Sequence, residues 1–318
     1  MTKNMQIAVL GAGSIGSLFA SKLAAAGHDV TLVVRNDARR AYLQQHGLVA
    51  RSRLSGRART VPVQVISQLR SVYDLVIVAV QRPQIETLIP LLADNESRAI
   101  MFMFNCASGA DRWADEIGPE RLLWGFPAAL ADMRDQVLEY VVVPRFLRFT
   151  QITTIGRIDG RSTPELHAIR NAFDRSGIPT VVHDDIDAWL KTHAAYMAPI
   201  MAMGYVPRRG GMGPRFTRRQ ARELATAMQA AFTAVRATGA HLTPANMRLF
   251  DRLSTPVLTT LLWTVFCMPM AKRSLDSHSG AAPREVAVLL DELAELAARA
   301  GTDATPFMRL AGRVPARV

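Results

Sequence analysis

Lysine is the scarce residue of this chain. Of 38 basic side chains only four are lysines, Lys3, Lys22, Lys191 and Lys272. Cysteine is scarcer still, and Cys106 and Cys267 form no CxxC pair or ligand-like cluster. That excludes a disulfide framework, gives no reason to expect a metal, and suits a reducing cytoplasm. Aromatics make up 7% of the chain. They do not interleave repeatedly with the basic concentrations at Arg35–Arg40, Arg51–Arg59 and Arg208–Arg222, as a stacking platform for nucleic acid would require. The net charge of +11 therefore reads as a solvated arginine surface, with nucleic-acid binding the disfavoured alternative. Long apolar runs are missing too. Pro256–Ala271 is the most apolar stretch, but Pro269, its threonines and its length argue against a membrane span and for a buried helix or a subunit contact. The N-terminal stretch has a basic start and an Ala-rich end. Three glycines break it and Lys22 follows, so a secretory signal is not expected.

What is present is more telling. Gln6–Gly16, QIAVLGAGSIG, is an apolar run followed at once by a glycine turn and a helix-like segment. Gly11, Gly13 and Gly16 have GxGxxG spacing. In a strand–turn–helix the first glycine allows the tight turn, and the second lets backbone N–H groups approach a pyrophosphate. The third lets helix and strand pack closely. The cofactor contacts expected here are Gly11, Gly13, Ser14, Ile15 and Gly16. Gly27 ends the helix and Val30–Val34 supplies the second strand. Arg35 follows, where NAD enzymes place an acidic residue for the ribose hydroxyls; an Arg suits a 2′-phosphate, so the expected cofactor is NADPH. Asn36 or Asp37 is expected to cap the next helix, Ala38–Gln45.

With 318 residues and 49% apolar content, two domains are expected. The first half alternates strand and helix as in a parallel sheet, with further strands at Val61–Ile66, Leu75–Val80, Ile100–Phe104, Leu122–Phe126, Leu138–Val143 and Gln151–Ile155. Ser162, Pro164 and Glu165 open a helix that Gly177 closes. From Asp184 the pattern is helical throughout. The expected fold is thus an α/β Rossmann-type doubly wound sheet over residues 1–184, followed by an all-α domain over 185–318. In the first helix of that domain Ile186, Trp189, Leu190, His193 and Met197 share one face. Lys191 lies on another with Ala194, Ala195 and Ala198, small residues that leave room for a close-packed neighbour or a ligand. In a chain that otherwise chooses Arg, a Lys invites a reason: only Lys can be tuned to give up a proton. Thr217 and Pro283 start further helices.

The sequence resembles the ketopantoate reductase (2-dehydropantoate 2-reductase) family over nearly its whole length. The resemblance rests on GAGSIG, Arg35, Gly47–Leu48, DLVIVAV at Asp74–Val80, Asn105, TTIGRIDG at Thr153–Gly160 and GIPTVVHDDIDAWLK at Gly177–Lys191. It implies a Rossmann domain, a helical second domain with a cleft between them, and hydride transfer from NADPH to a 2-oxo acid. It makes Lys191 the proton donor, and Asn105 a contact to substrate or nicotinamide ribose. Glu285 becomes the holder of the substrate hydroxyl, and Ser274 a looser match for a substrate serine. Read without the resemblance, Asn105 suits an Asx-turn at a strand end better than a ligand contact, and Glu285 suits a helix N-terminus equally well. A homodimer through the helical domain is a further expectation.

The departures lie at the substrate side. A second family lysine is replaced by Gln81, which can still contact cofactor but cannot balance a carboxylate charge; Arg82 next to it is the expected substitute if it turns inward. The asparagine expected four residues after Lys191 is Ala195, and Pro199 stands eight after it. Ser274 competes with Arg273 for the serine position, and His278 lies in the same segment. These losses, with the charge, leave a non-catalytic NADP-binding or RNA-associated protein on the same fold as the alternative.

Overall fold

The computed structural model describes residues 4–143, 152–205, 216–268 and 283–315. The chain divides into two compact units: Met1–Phe104 with Ala110–Ile186, and Asn105–Gly109 with Asp187–Val318.

The first unit is built on the sheet that the glycine turn announces. Its strands are β1 (Gln6–Leu10), β2 (Asp29–Val33), β3 (Leu48–Ser52), β4 (Ala58–Val61), β5 (Gln64–Ile66), β6 (Leu75–Val78), β7 (Ala99–Phe102), β8 (Leu122–Phe126), β9 (Ala129–Arg134), β10 (Val137–Val142), β11 (Thr153–Arg157) and β12 (Thr180–Val182). Eight of them form one sheet in the order β12-β11-β8-β7-β6-β1-β2-β5. From β8 to β5 every pairing is parallel, whereas β11 runs antiparallel to β8, with Ile155 opposite Gly125. The central strands β6 and β7 are buried at every position, as expected where both faces of a parallel sheet are covered.

A second sheet, β4-β3-β10-β9, corrects the sequence reading. The run Val61–Ile66 is not one strand. Pro62 cannot donate to a ladder, so β4 ends at Val61 and β5 starts at Gln64, in different sheets. The β9–β10 hairpin turns at Asp135 and Gln136, both with positive φ, which matches the twist of the flanking strands. Leu18 packs between Ala50 and Leu138 of this sheet.

The helices of this unit are α1 (Ser14–Ala25), α2 (Asp37–His46), α3 (Ile89–Asp94), α4 (Ala114–Ile117) and α5 (Pro164–Arg175). Asn36 caps α2 by accepting from the Arg39 N–H at 2.8 Å. The cap of α5 is Thr163, not Ser162, whose hydroxyl bonds His167 instead.

The second unit holds α6 (Ile186–Met203), α7 (Arg218–Ala237), α8 (Ala245–Arg252), α9 (Thr255–Cys267), α10 (Pro283–Arg299) and α11 (Thr305–Ala311). The stripes read from the sequence meet in one core: Leu224, Met228, Phe232 and Val235 of α7 with Val286, Leu289, Leu290 and Leu293 of α10. Burying each such side chain contributes about 1.5–3 kcal/mol. Ala194, Ala195 and Ala198 are fully buried in the same core. The small-residue strip thus admits a packed neighbour and not a ligand. Pro199 does not end α6, which continues to Met203. The apolar α9 buries only Leu258 and Leu262, leaving Val257, Leu261 and Val265 exposed. Among the described residues no helix is long and apolar enough to cross a membrane.

Candidate functional site

In the first unit the three glycines have separate structural causes. Gly11 has φ +100°, and a Cβ there would lie 2.5 Å from the Ala79 carbonyl oxygen. At Gly16 a Cβ would fall 1.9 Å from the Gly11 carbonyl oxygen, so the turn closes only on hydrogen. Around Gly13 there is open space, with no atom within 4 Å of a built Cβ. Gly13 is the N-cap of α1, and no side chain caps the helix. Ser14 and Ile15 therefore present first-turn N–H groups that lack intrahelical acceptors and carry the positive end of the helix dipole. A pyrophosphate fits this cradle, since a backbone bare of Cβ and of a cap is what close approach of an anion needs.

Arg35 lies just past β2 and is exposed. Its neighbours are already engaged. Arg40 pairs with Asp37 at 2.6 Å and donates to the Val34 carbonyl. Arg39 donates to the Gln136 side chain at 2.7 Å, and burial pulls its pKa below the usual arginine value. Of the three arginines, Arg35 alone makes neither an ion pair nor a side-chain hydrogen bond among the described residues. Gln81 is exposed and caps the short 3-10 turn Arg82–Gln84. Arg82 is buried, with its guanidinium 4.7 Å from the Trp113 ring centroid and paired with Glu86. That engagement argues against Arg82 standing in for a carboxylate-binding lysine.

The second unit gathers the other candidates. The Asn105–Gly109 loop follows β7 in sequence but clusters with the helices. The Ala107 N–H donates to Oε2 of buried Glu292 on α10 at 2.8 Å. One side of the Asn105 amide donates to the Glu285 carboxyl, two helical turns before Glu292. The other side, Oδ1, lies 3.0 Å from Nδ1 of His193 on α6. Asn105 thus joins residues 88 and 180 positions away. An Asx-turn at a strand end does not require such partners. Burial pushes the Glu285 carboxyl above the usual carboxylate range, and the Asn105 hydrogen bond opposes that shift. Nearby, the Tyr205 hydroxyl is shielded from solvent with no hydrogen-bond partner among the described residues. Burial and the Glu285 charge raise its pKa.

Lys191 is half-buried. Among the described residues its ammonium pairs with Asp187, one turn earlier on α6, at 2.5 Å, and not with Asn105 or Glu285. Lys191 and His193 stand about 200° apart around the helix, so the lysine and the Asn105 network use different faces of α6. His193 and Tyr205 were not among the sequence candidates. His193 is on the apolar stripe by periodicity, and nothing local announces its polar partner. Ser274, Arg273 and His278 lie outside the described residues.

Comparison with known proteins bears on the fold and on the N-terminal segment. The chain is similar in structure to 2-dehydropantoate 2-reductase from Geobacter metallireducens GS-15, with 17% identity, TM-score 0.74, and 97% and 98% of the two chains covered. The Methylococcus capsulatus 2-dehydropantoate 2-reductase gives 17% identity, TM-score 0.71 and 96% and 94% coverage. A D-mandelate dehydrogenase in a ternary structure with NADH and anilino(oxo)acetate gives 15%, 0.73, and 97% and 96%. At these identities the likeness establishes the fold, an N-terminal α/β sheet unit followed by helices. No curated protein matches the sequence. Residues 7–131, which span the glycine turn, Arg35 and Asn105, match the family model described as Ketopantoate reductase PanE/ApbA. The family likeness thus covers residues 7–131, and beyond them the solved structures extend the likeness of fold over nearly the whole chain.

Proposed function

We propose that the protein is an NADPH-dependent reductase of a 2-oxo acid, ketopantoate or a related carbonyl compound, giving the 2-hydroxy acid. The observation that carries this reading is the uncapped glycine cradle Gly11–Gly16, on a segment of a family named for such a reductase. Bound there, NADPH would supply the hydride. The first-turn N–H groups at Ser14 and Ile15 would hold the pyrophosphate, and Arg35 would pair with the 2′-phosphate. Gln81 and Asn105 complete the cofactor contacts.

Lys191 acts as the proton donor, its flexible four-carbon stem bringing the ammonium round from its own face of α6 to a substrate held by Asn105. Its ammonium stabilises negative charge developing on the carbonyl oxygen and then releases a proton to it. Asp187 positions that ammonium through the ion pair within α6. Asn105 and Glu285 engage the oxygens of the substrate, with Ser274 as a further contact. The exposed apolar residues Val257, Leu261 and Val265 of α9 support a homodimer contact in the helical unit. The test is NADPH oxidation against a panel of 2-oxo acids, run beside a Lys191→Ala variant. No oxidation with any member would refute the reading.

A further inference from the structure

We propose that His193 is a positioning residue that fixes the polarity of the Asn105 amide, so that Asn105 meets a 2-oxo acid as a hydrogen-bond donor. The argument is one of donors and acceptors. Asn105 Oδ1 can only accept, and it lies 3.0 Å from His193 Nδ1. Nδ1 therefore carries the imidazole proton. With Oδ1 taken by His193, the amide nitrogen faces Glu285, whose carboxyl receives one of its two hydrogens. The second hydrogen is the one a ligand oxygen would receive. Were the amide reversed, Oδ1 would face the ionised Glu285 carboxylate, acceptor against acceptor. It would also present an oxygen to an anionic substrate. The imidazole is itself held in plane: its ring stacks on Trp189 at 5.1 Å with an interplanar angle of 3°. Trp189 and His193 are one helical turn apart on α6, so the chain of control runs from Trp189 to His193 to Asn105 to Glu285.

The functional consequence rests on the 2-oxo acid reading, but the hydrogen-bond polarity does not. Two substitutions separate the imidazole's roles. His193→Phe keeps a ring on Trp189 and removes the donor. His193→Asn gives up the ring and returns an N–H donor close to the Nδ1 position. His193→Phe should raise KM for the oxo acid roughly tenfold, as loss of one charge-assisted contact does, with a smaller fall in NADPH affinity, most of whose contacts lie at Gly11–Gly16 and Arg35. His193→Asn should recover most of that loss. Equal impairment in both variants, or none in His193→Phe, would overturn the proposal. Nitrogen-15 spectra of the wild-type imidazoles provide the independent measurement. His193 should be protonated at Nδ1, and Asn105→Ala should shift that signal. An Nε2–H tautomer, or a signal indifferent to Asn105→Ala, refutes the inference even if oxo acids are reduced. The expected spectra without oxo-acid reduction refute the function and leave the positioning intact.

Discussion

Replacing Gly16 and Gly13 separately by alanine should produce opposite failures. At Gly16 the added methyl lies 1.9 Å from the Gly11 carbonyl oxygen, more than an ångström inside ordinary contact at about 3.5 Å. The obstacle is backbone, so relief requires opening the turn or pushing α1 off β1. Overpacking of this kind costs about 1–3 kcal/mol and more when backbone must move. For a unit of this size that lowers its melting temperature by roughly 2–4 °C per kcal/mol. At Gly13 the methyl enters open space, and φ of −74° suits an L-residue. Stability there should stay within about 0.5 kcal/mol of wild type. The methyl fills the approach to the first-turn N–H groups, however, so NADPH affinity should fall at least about tenfold, or 1.4 kcal/mol. Thermal unfolding by circular dichroism and NADPH fluorescence titration read the two effects. A Gly16→Ala protein as stable as wild type, or a Gly13→Ala protein that binds NADPH normally, would refute the cradle.

Arg35→Ala should erase a preference for NADPH over NADH of about ten- to a hundredfold, the scale of a charge-assisted contact; parallel titrations that leave the ratio unchanged would remove the 2′-phosphate assignment. Burial raises the Glu285 pKa above the 4.5 it has when exposed, so the folded state binds the extra proton between those two values and stability falls as pH rises through that window. Glu285→Gln should therefore gain stability over wild type at pH 8 and not at pH 4, in melting curves across pH. Leu290→Ala, at a fully buried position of α10, should cost about 2–5 kcal/mol in denaturant unfolding. Any binding to nucleic acid should lack sequence preference and weaken steeply with salt, as filter binding at several ionic strengths would record.

The sequence made legible what is local. The glycine turn, Arg35 after β2, and the stripes of α7 and α10 follow from turn chemistry, capping and period, and the structure places them accordingly. The four-stranded sheet was not legible. Its strands are short and half-exposed, and Pro62 divides an apolar run that periodicity alone joins. The site was legible as residue types, not as partnerships. Asn105 looked like the end of a strand. Its contacts to His193 and Glu285 bridge 88 and 180 residues, and no local pattern encodes them. Apolar periodicity also hid His193 among Ile186, Trp189 and Met197. The alanine strip beside Lys191 was ambiguous for a similar reason, because a small side chain marks close approach without saying of what.

The most direct measurement is NADPH oxidation by wild type, Lys191→Ala and Lys191→Arg with the 2-oxo acid that wild type uses best. The account predicts a fall in turnover of roughly 10²–10⁴-fold in Lys191→Ala, the scale of a lost general acid, with NADPH affinity preserved. Lys191→Arg should recover little, because guanidinium keeps the charge but does not give up its proton. Near-wild-type turnover in Lys191→Arg, or loss of NADPH binding in Lys191→Ala, would contradict the proton-donor role.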